Sequence, residues 1–175
     1  RNTQGFDWWD DEHLLLMDHG PSGLELDMPN LTGLDELNVA KAGDNLGWAE
    51  IWGCTESEGM VAPVLTWETA VPPSSATIYT GSAVPEWTGS LMVTTLGSET
   101  FADGQHLLRI AVSADDPYVV ETHEVYLRQT YGRLRSAEMG LDGHLYITTS
   151  NCEGRGDPDA CPEEGDAILR IVGTK

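Results

Sequence analysis

Short apolar or alternating runs, separated by turn-forming Gly, Pro, Asp and Ser, follow one another along almost the whole chain. No long segment places apolar residues at the three-to-four-residue spacing of an amphipathic helix. Val, Ile, Thr, Tyr and Trp, which favour strands, are well represented in the runs. The pattern predicts an all-β, antiparallel protein with strands at HLLLMD, ELNVAK, WAEIW, VLTWE, ATIYT, SLMVTTL, HLLRIAV, VVETHEVYL, RLRSAEM, HLYITT and AILRIV.

Two types of strand recur three times along the chain. The first type, a turn followed by an apolar strand, is DEHLLLMD, TGSLMVTTL and DGHLYITTS; the second is DELNVAK, HLLRIAV and AILRIVG. A recurrence of this kind predicts antiparallel four-stranded blades of a β-propeller, about three in number. A sandwich made of the same strands is the structural alternative.

Three blades do not close a ring, because propellers usually have four to eight blades around their axis. Two bare flanks would invite edge pairing with other chains. We therefore expect the rest of the ring from a missing amino-terminal segment or from a second copy of the chain. The abrupt start at Arg1, without an initiator Met or a signal peptide, favours the amino-terminal segment.

The composition excludes some partners and leaves others open. A chain of 175 residues is long enough for one domain with a sizeable core. Its 29 acidic residues against 9 basic ones give a net charge of −20, so nucleic acid and anionic membranes are poor partners. No apolar run is long enough to span a bilayer. The simplest interpretation is a solvated acidic surface; a saline environment or cation binding are the alternatives.

Three cysteines are present. Cys152 and Cys161 flank the Gly-, Pro- and Asp-rich loop NCEGRGDPDACPEEGD, and we expect a disulfide to close it. A disulfide implies an oxidising compartment, so the protein is expected to be secreted or periplasmic. Cys54 is then left over, most simply as a buried thiol.

Four segments carry a family likeness in a consistent order. RNTQGF, DHGPSG, DELNVAKAGDNLGW and RLRSAEMGLDGHLYITTS together resemble the carboxyl half of the soluble glucose/sorbosone dehydrogenases, also called aldose sugar dehydrogenases. The resemblance implies a six-bladed propeller that uses pyrroloquinoline quinone (PQQ) and calcium to oxidise the C1 hydroxyl of an aldose to a lactone. Residues 1–175 would be a partial propeller domain that is inactive alone, since the resemblance places the catalytic base on the missing half.

The resemblance also implies roles for individual residues. The cofactor-binding residues would be Arg1, Asn2, Trp67, Thr69, Arg133 and Arg135. Arg1 and Asn2 would line the pocket, Trp67 and Thr69 would cover the quinone, and the Arg133–Arg135 pair would meet the cofactor's carboxylates and quinone oxygens.

The metal residues implied in the same way are Gly20, Pro21, Asp35 and Glu36. The carbonyls of the first two would ligate the calcium that bridges to PQQ. Asp35 and Glu36 would either help to hold a second, structural calcium or face solvent on their strand. The segment LELDMPNLTGL before them is longer than we expect for the family and affects the local cation geometry. The GDNLGW turn is interpreted as structural, with Trp48 packed beneath the sheet.

The residue types suit this chemistry independently of the likeness. PQQ is a flat tricarboxylate, so its site needs guanidinium groups, an aromatic face and a hard cation. Arg133 and Arg135 stand at positions i and i+2, which share one face of a strand, although surface salt bridges are the simpler interpretation. His19, beside the proposed calcium turn, is the one histidine of five that we single out.

One departure from the family pattern leaves other functions open. A Lys that contacts the cofactor in some members would fall near Leu96 and Gly97, and no Lys is there. The chief alternative is a non-enzymatic propeller of the same superfamily that serves as a binding or interaction module. A calcium-dependent lactonase is a third class, but it would need an acidic or Asn cluster on the axis that the sequence does not locate.

Overall fold

Three antiparallel sheets make up the computed structural model, which describes residues 1–23, 32–97, 104–152 and 161–173. A 3-10 turn lies at Pro85–Trp87, and no helix within these ranges could cross a membrane. The strands are β1 (Asn2–Trp8), β2 (Leu14–His19), β3 (Asp35–Ala40), β4 (Leu65–Trp67), β5 (Pro73–Ile78), β6 (Leu91–Thr95), β7 (Leu107–Val112), β8 (Val120–Tyr126), β9 (Leu134–Met139), β10 (Leu145–Thr149) and β11 (Ile168–Arg170).

The sheets follow the chain in order, and each strand pairs with its sequence neighbours. The first sheet has the order β1-β2-β3-β4, the second β5-β6-β7-β8 and the third β9-β10-β11. The first strands are the inner ones, because β1 packs against β5 and β5 packs against β9. The recurring sequence types are the second strands (β2, β6, β10) and the third strands (β3, β7, β11). The prediction of an all-β fold made of four-stranded antiparallel blades is confirmed, with four strands in the first and second sheets and three in the described part of the third.

The hydrophobic core lies in two layers between the sheets. The layer between the first and second sheets is formed by Leu15, Met17, Leu37, Val39, Ala76, Leu91, Val93, Leu108 and Ile110. The layer between the second and third sheets is formed by Tyr79, Val84, Trp87, Met92, Leu107, Leu134, Ala137, Leu145 and Ile147. Each sheet buries alternate residues of its strands in these layers, as the period of a strand requires.

The inner strands of the first two sheets approach each other closely. Gly5 of β1 lies against β5, where an added Cβ would overlap the backbone nitrogen of Ala76. Two residues further along the same strands, the Asp7 carboxylate accepts hydrogen bonds from the Ile78 backbone N–H at 2.7 Å and from the Thr77 hydroxyl at 3.2 Å. The two strands are thus joined by direct backbone packing and by a partly buried polar link.

Further hydrogen bonds tie the three inner strands together near their first residues. His19 Nε2 donates to the Pro73 carbonyl at 2.7 Å and so connects the first sheet to β5. The Ser74 hydroxyl donates to the Leu134 carbonyl at 2.8 Å and connects β5 to β9. Each link joins a side chain to a backbone carbonyl, so the sheets are held in a defined relative position and not by apolar packing alone.

Two strand predictions were wrong. No strand was predicted at Asn2–Trp8, where β1 lies, because the sequence NTQGFDW lacks alternation and its Gly serves the close approach to β5. WAEIW was predicted as a strand, but residues 48–52 lie in a turn. The backbone N–H groups of Glu50 and Ile51 both donate to the Gly47 carbonyl, which is a turn pattern and leaves no ladder.

The cysteine predictions had mixed outcomes. A disulfide joins Cys152 to Cys161, with a Cα–Cα distance of 4.7 Å, as predicted. The expectation of a buried thiol at Cys54 was wrong, since this residue is exposed and its Sγ lies 3.4 Å from the Thr66 hydroxyl. The turn that carries Cys54 runs over the surface of the first sheet and leaves the thiol facing solvent.

The close approach at Gly5 predicts a large effect of a single methyl group. Gly5→Ala should destabilise the chain by about 3 kcal/mol, because its Cβ can be accommodated only if β1 or β5 moves. Urea unfolding followed by Trp fluorescence measures the change. Gly43→Ala is the control: its φ of +93° costs about 1 kcal/mol, but no atom lies within 4 Å of the added Cβ. A loss at Gly5 no larger than the loss at Gly43 would contradict the close approach.

Candidate functional site

The predicted site residues gather at one end of the sheets, here called the upper end, where β1, β5 and β9 begin. Because the sheets are antiparallel, β2 and β4 finish at this end and β3 begins there. All ten residues predicted for the cofactor and the metals therefore lie at the upper end or directly beside it. They divide into groups that the structure brings together to different extents.

The first group surrounds Arg1. Its guanidinium donates to the Gly20 carbonyl at 2.8 Å and to the Ser22 hydroxyl at 3.1 Å, and its Cζ lies 5.6 Å from the centroid of the Trp48 ring. Gly20 is packed so tightly that a Cβ would overlap the backbone at Gly33, so only glycine fits this turn. We call Arg1, Gly20 and Trp48 the Arg1 group.

Two other predicted site residues lie beside the Arg1 group. Pro21 is buried, and Asn2 is exposed, with its side-chain oxygen accepting a hydrogen bond from the Gln4 amide.

Asp35 lies beneath the Arg1 group and holds the Gly20 turn in place. One carboxylate oxygen accepts from the Gly20 N–H at 3.0 Å, and the other accepts from the Val71 N–H at 2.6 Å. The side chain is only 4% exposed, and burial raises the pKa of this carboxyl despite the two hydrogen bonds that favour its charged form. The interpretation of Asp35 as a solvent-facing residue is wrong, because both of its oxygens are used inside the protein.

Two further buried acids lie opposite each other on neighbouring strands. Asp18 of β2 stands opposite Glu36 of β3, and the Asn38 amide donates to Asp18 at 3.0 Å and to Glu36 at 3.3 Å. Glu36 also accepts from the Gly53 N–H at 2.6 Å, so it does not face solvent either. Burial raises the pKa of the Glu36 carboxyl, and the negative charge of Asp18 adds to the effect. We call Asp18, Glu36 and Asn38 the acid cluster.

The acid cluster contains one polar atom without a partner. The side-chain oxygen of Asn38 is buried and accepts no hydrogen bond. Carboxylate and amide oxygens are the ligands that calcium prefers in proteins. Within the described ranges, however, no group of three or more His, Cys, Asp and Glu side chains could hold a metal ion. The longer segment that precedes these acids falls mainly on residues 24–31, outside the described residues.

Arg133 forms a separate group at the start of β9. Its guanidinium donates to the carbonyls of Ser150 at 3.1 Å, Leu96 at 3.4 Å and Gly97 at 3.3 Å. The resemblance would place a Lys of some family members near Leu96 and Gly97, and here the Arg133 guanidinium reaches these two residues from another strand. Arg135, two residues further along β9, is exposed.

The links between the inner strands run directly beside both groups. His19, which donates to Pro73, precedes Gly20 of the Arg1 group. The carbonyl of Leu134, which accepts from Ser74, lies between Arg133 and Arg135. The backbone that carries the predicted cofactor residues is therefore fixed at points adjacent to them.

Trp67 and Thr69 are not brought to the inner strands. Trp67 is the last residue of β4, the outermost strand of the first sheet, and its ring lies edge-on to His123 with 6.2 Å between centroids. Thr69 is exposed and lines a cavity of about 280 Å³ together with His106 and Arg128. The Arg1 group instead contains Trp48, which was expected to pack beneath the sheet but is 38% exposed. The sequence signal that could have identified Trp48 as a site residue is its place within the Gly-rich turn GDNLGW.

Comparison with known proteins identifies the family. The family model for glucose/sorbosone dehydrogenases matches residues 1–158. The chain belongs to this family. It is 27% identical over 169 residues to the aldose sugar dehydrogenase YliI of Escherichia coli K12, covering 88% of this chain and 40% of that protein.

Two solved structures of similar proteins extend the comparison. The first is an oxidoreductase (glucose dehydrogenase) from Thermus thermophilus, with 32% identity and a TM-score of 0.77 over 98% of this chain and 45% of that one. The second is the PQQ-bound form of an aldose sugar dehydrogenase from Streptomyces coelicolor, with 29% identity and a TM-score of 0.71 over 98% of this chain and 43% of that one. The chain thus spans less than half the length of these relatives.

The bridging amide of the acid cluster gives a testable consequence for the metal-free chain. Asn38→Leu should lower the free energy of unfolding by about 3 kcal/mol at pH 7, because it removes the donor shared by two buried carboxylates. Urea unfolding in the presence of EDTA measures the loss. The control is Asn45→Ala, which removes one exposed amide that accepts from the Gly47 N–H. Equal effects of the two substitutions would contradict the role of Asn38.

The same cluster predicts the direction of a pH effect. Because the pKa of Glu36 is raised in the folded state, the native chain binds a proton there more readily than the unfolded chain does. The stabilising contribution of this protonated form is complete below the unfolded pKa of about 4.3 and is lost as pH rises through the folded pKa. In EDTA, Glu36→Gln should therefore reduce the fall in stability above pH 4, whereas the exposed Glu58→Gln should not. An unchanged profile in Glu36→Gln would contradict the shift.

Proposed function

We propose that residues 1–175 form the carboxyl-terminal part of a PQQ- and calcium-dependent dehydrogenase that oxidises the C1 hydroxyl of aldoses to lactones. The observation that carries the proposal is the placement of Arg1, Arg133 and Arg135. Three of only seven arginines, in a chain with a net charge of −20, stand at the upper ends of the inner strands β1 and β9. A polyanionic cofactor is the kind of ligand that such a concentration of guanidinium groups would attract in an otherwise acidic protein.

The residues at the upper end fit the chemistry of PQQ. Three backbone carbonyls accept from Arg133, and they fix the direction of its planar guanidinium without neutralising its charge. Arg135 and Arg1 add two further cationic groups, and Asn2 adds an amide. We assign the aromatic face to Trp48 of the Arg1 group instead of Trp67, because Trp67 is engaged with His123 on the outermost strand. Thr69 would then contribute to the outer wall of the site.

The oxygen donors fit calcium at two places. The carbonyls of Gly20 and Pro21 would hold the ion beside the cofactor; the Gly20 carbonyl accepts from Arg1 in this structure, and an ion there would take over that acceptor. A second, structural ion would use Glu36 and Asp18 together with the unpartnered Asn38 oxygen. Asp35 would act as a support for the first site, since both of its oxygens hold backbone N–H groups.

In this proposal the cofactor, this chain and the other part of the ring have different roles in the reaction. When bound, PQQ would accept hydride from the sugar C1, which is chemistry that the protein side chains cannot perform themselves. The arginines of this chain would bind and orient the cofactor, and the tied inner strands would keep them in position. The base that takes the hydroxyl proton would come from the other part of the ring, so the chain alone should not turn over sugar. The disulfide is consistent with an extracytoplasmic location.

Cofactor binding is the first test. Titration calorimetry of PQQ into the chain, with and without calcium, should show calcium-dependent binding that is reduced at least about tenfold in Arg133→Ala/Arg135→Ala, because the guanidinium–carboxylate contacts are lost. The matched control is Arg109→Ala/Arg170→Ala, which removes two guanidinium groups from the middle and outer strands of the second and third sheets. If both double variants lose the same PQQ affinity, the effect comes from net charge and the specific contacts of Arg133 and Arg135 are contradicted.

A negative result has two meanings that a longer protein separates. If the chain extended upstream of Arg1 binds PQQ while the 175-residue chain does not, the half-site is incomplete without the other part of the ring. If neither binds, the catalytic proposal fails and a non-enzymatic interaction module takes its place.

A further inference from the structure

The turn that leads into β9 is held by a side chain that follows the end of β10. The side-chain oxygen of Asn151 accepts from the Arg133 backbone N–H at 2.8 Å, and its amide nitrogen donates to the Tyr131 carbonyl at 3.0 Å. Gly132, between these two partners, has a φ of +68°, and a Cβ there would overlap the Asn151 amide. Asn151 therefore fixes the backbone from which the Arg133 side chain departs.

The neighbouring Ser150 holds Arg133 at two further points. The Ser150 N–H donates to the Arg133 carbonyl at 2.9 Å, and the Ser150 carbonyl accepts from Nε of Arg133 at 3.1 Å. The Leu96 and Gly97 carbonyls accept only from the end of the guanidinium, at 3.4 and 3.3 Å. The backbone and the side chain of Arg133 thus both depend on where Ser150 and Asn151 lie.

Asp166 fixes these two residues from the other side of their segment. One of its carboxylate oxygens accepts from the Asn151 N–H at 2.6 Å and from the Thr149 hydroxyl at 2.9 Å, and the other accepts from the Cys152 N–H at 3.3 Å. The hydrogen bond from the Asn151 N–H lowers the pKa of the Asp166 carboxyl. The carboxylate therefore stays charged at neutral pH, and its hydrogen bonds are of the stronger, charge-assisted kind.

The disulfide ties the same segment to the part of the chain that carries Asp166. Cys152 directly follows Asn151, and Cys161 precedes Asp166 on the way to β11. The covalent bond spans a sequence separation of 9, so Asn151 and Asp166 stay close together even when their hydrogen bond opens. We call Asn151, Asp166 and the Cys152–Cys161 disulfide the Arg133 clamp.

A cavity beside the clamp offers Arg133 a different position. It has a volume of about 460 Å³, and its lining includes Arg133, Asn151, Tyr131 and Glu164. A guanidinium released from the clamp would have room to turn into this cavity, where the Glu164 carboxylate would be an anionic partner. The clamp prevents this turn and keeps the guanidinium against the carbonyls at the upper end of the inner strands.

We propose that Asn151 is a positioning residue for the cofactor-binding Arg133, and that the disulfide makes this positioning depend on oxidation. A dithiol reductant would supply two electrons and two protons: the Sγ–Sγ bond would break, two thiols would form, and the reductant would become a disulfide. Arg133 would then lose the fixed direction that lowers the entropic cost of binding an anion. The relevance to PQQ rests on the proposed function, whereas the restraint on Arg133 does not.

NMR relaxation of the arginine Nε–H groups tests the restraint without any cofactor. Asn151→Leu should lower the order parameter of the Arg133 Nε–H from about 0.8 to below about 0.6. Asn151→Asp should keep the higher value, because its carboxylate still accepts from the Arg133 N–H. The matched control is Ser136→Ala, which removes the hydrogen bond to the Thr148 hydroxyl between the same two strands and leaves the clamp intact. An unchanged Arg133 in Asn151→Leu, or an equal loss of order in Ser136→Ala, would overturn the proposal.

Reduction tests the disulfide separately. Dithiothreitol should lower the order parameter of Arg133 in the parent chain and in Cys54→Ser, which removes the exposed thiol outside the clamp. In Cys152→Ser/Cys161→Ser the value should be low from the start and should not fall further. Unchanged order in a chain that mass spectrometry shows to be reduced would contradict the role of the disulfide. So would a reduced chain that loses the amide signal of the buried Ile147, because the disulfide would then support the whole sheet.

Cofactor affinity tests the consequence, in whichever of the 175-residue chain and the form extended upstream of Arg1 binds PQQ. Asn151→Leu and reduction should each weaken PQQ binding about fivefold or more, which corresponds to about one net hydrogen bond. Ser136→Ala should stay within about twofold of the parent protein. Equal weakening in Ser136→Ala would assign the effect to general loss of stability and overturn the proposal.

Failure of the clamp and failure of the proposed function give different results. Loss of order at Arg133 in Asn151→Leu, in a protein of which no form binds PQQ, would support the restraint on Arg133 and reject the dehydrogenase. PQQ binding that neither Asn151→Leu nor reduction weakens would support the dehydrogenase and overturn the clamp.

Discussion

The architecture depends on the direct contact between the backbones of adjacent inner strands. Where β1 meets β5 no side chain fits between them, which is why Gly5 is required. The polar links then fix the relative height of the strands: Asp7 reaches the Ile78 N–H, and His19 reaches the Pro73 carbonyl. Apolar burial is non-directional, whereas these hydrogen bonds require a defined geometry between donor and acceptor. These contacts fix the position of the first sheet relative to the second, so that the upper ends of their inner strands lie side by side.

The electrostatic organisation of the upper end follows from this positioning. The strand ends bring arginines and buried acids close to one another in a protein whose charge is otherwise strongly negative. The acids are not a solvated surface: Asp35 clamps the backbone of Gly20 and Val71, and Glu36 holds Gly53. Their burial is unfavourable in itself, as their raised pKa values indicate. In return, their hydrogen bonds stabilise the turns that carry the candidate cofactor and calcium groups, so the site is well defined.

The sequence predicted much of the fold and part of the site. Strand β10, whose burial alternates along the chain, was found because one of its faces is more deeply buried than the other. The inner strand β1 was missed, because it packs through its backbone against β5 and therefore has no alternating hydrophobic face. Likewise, the Arg-x-Arg pattern at Arg133 and Arg135 was visible as a local motif. The contacts of Trp48 with Arg1 and of Trp67 with His123 were not visible, because each ring is placed by a turn or strand that meets its partner only after folding.

By itself, the sequence determined the all-β class, the threefold recurrence of strand types, the disulfide between Cys152 and Cys161 and the family likeness. All of these are local properties: they depend on residue order, spacing and chain reach. Only the tertiary structure decided which acids are buried, which carbonyls orient Arg133 and which edge of the third sheet is open among the described strands. These features join residues far apart in the chain, such as Arg133 and Leu96, and no pattern along a single strand encodes the packing of one sheet against the next.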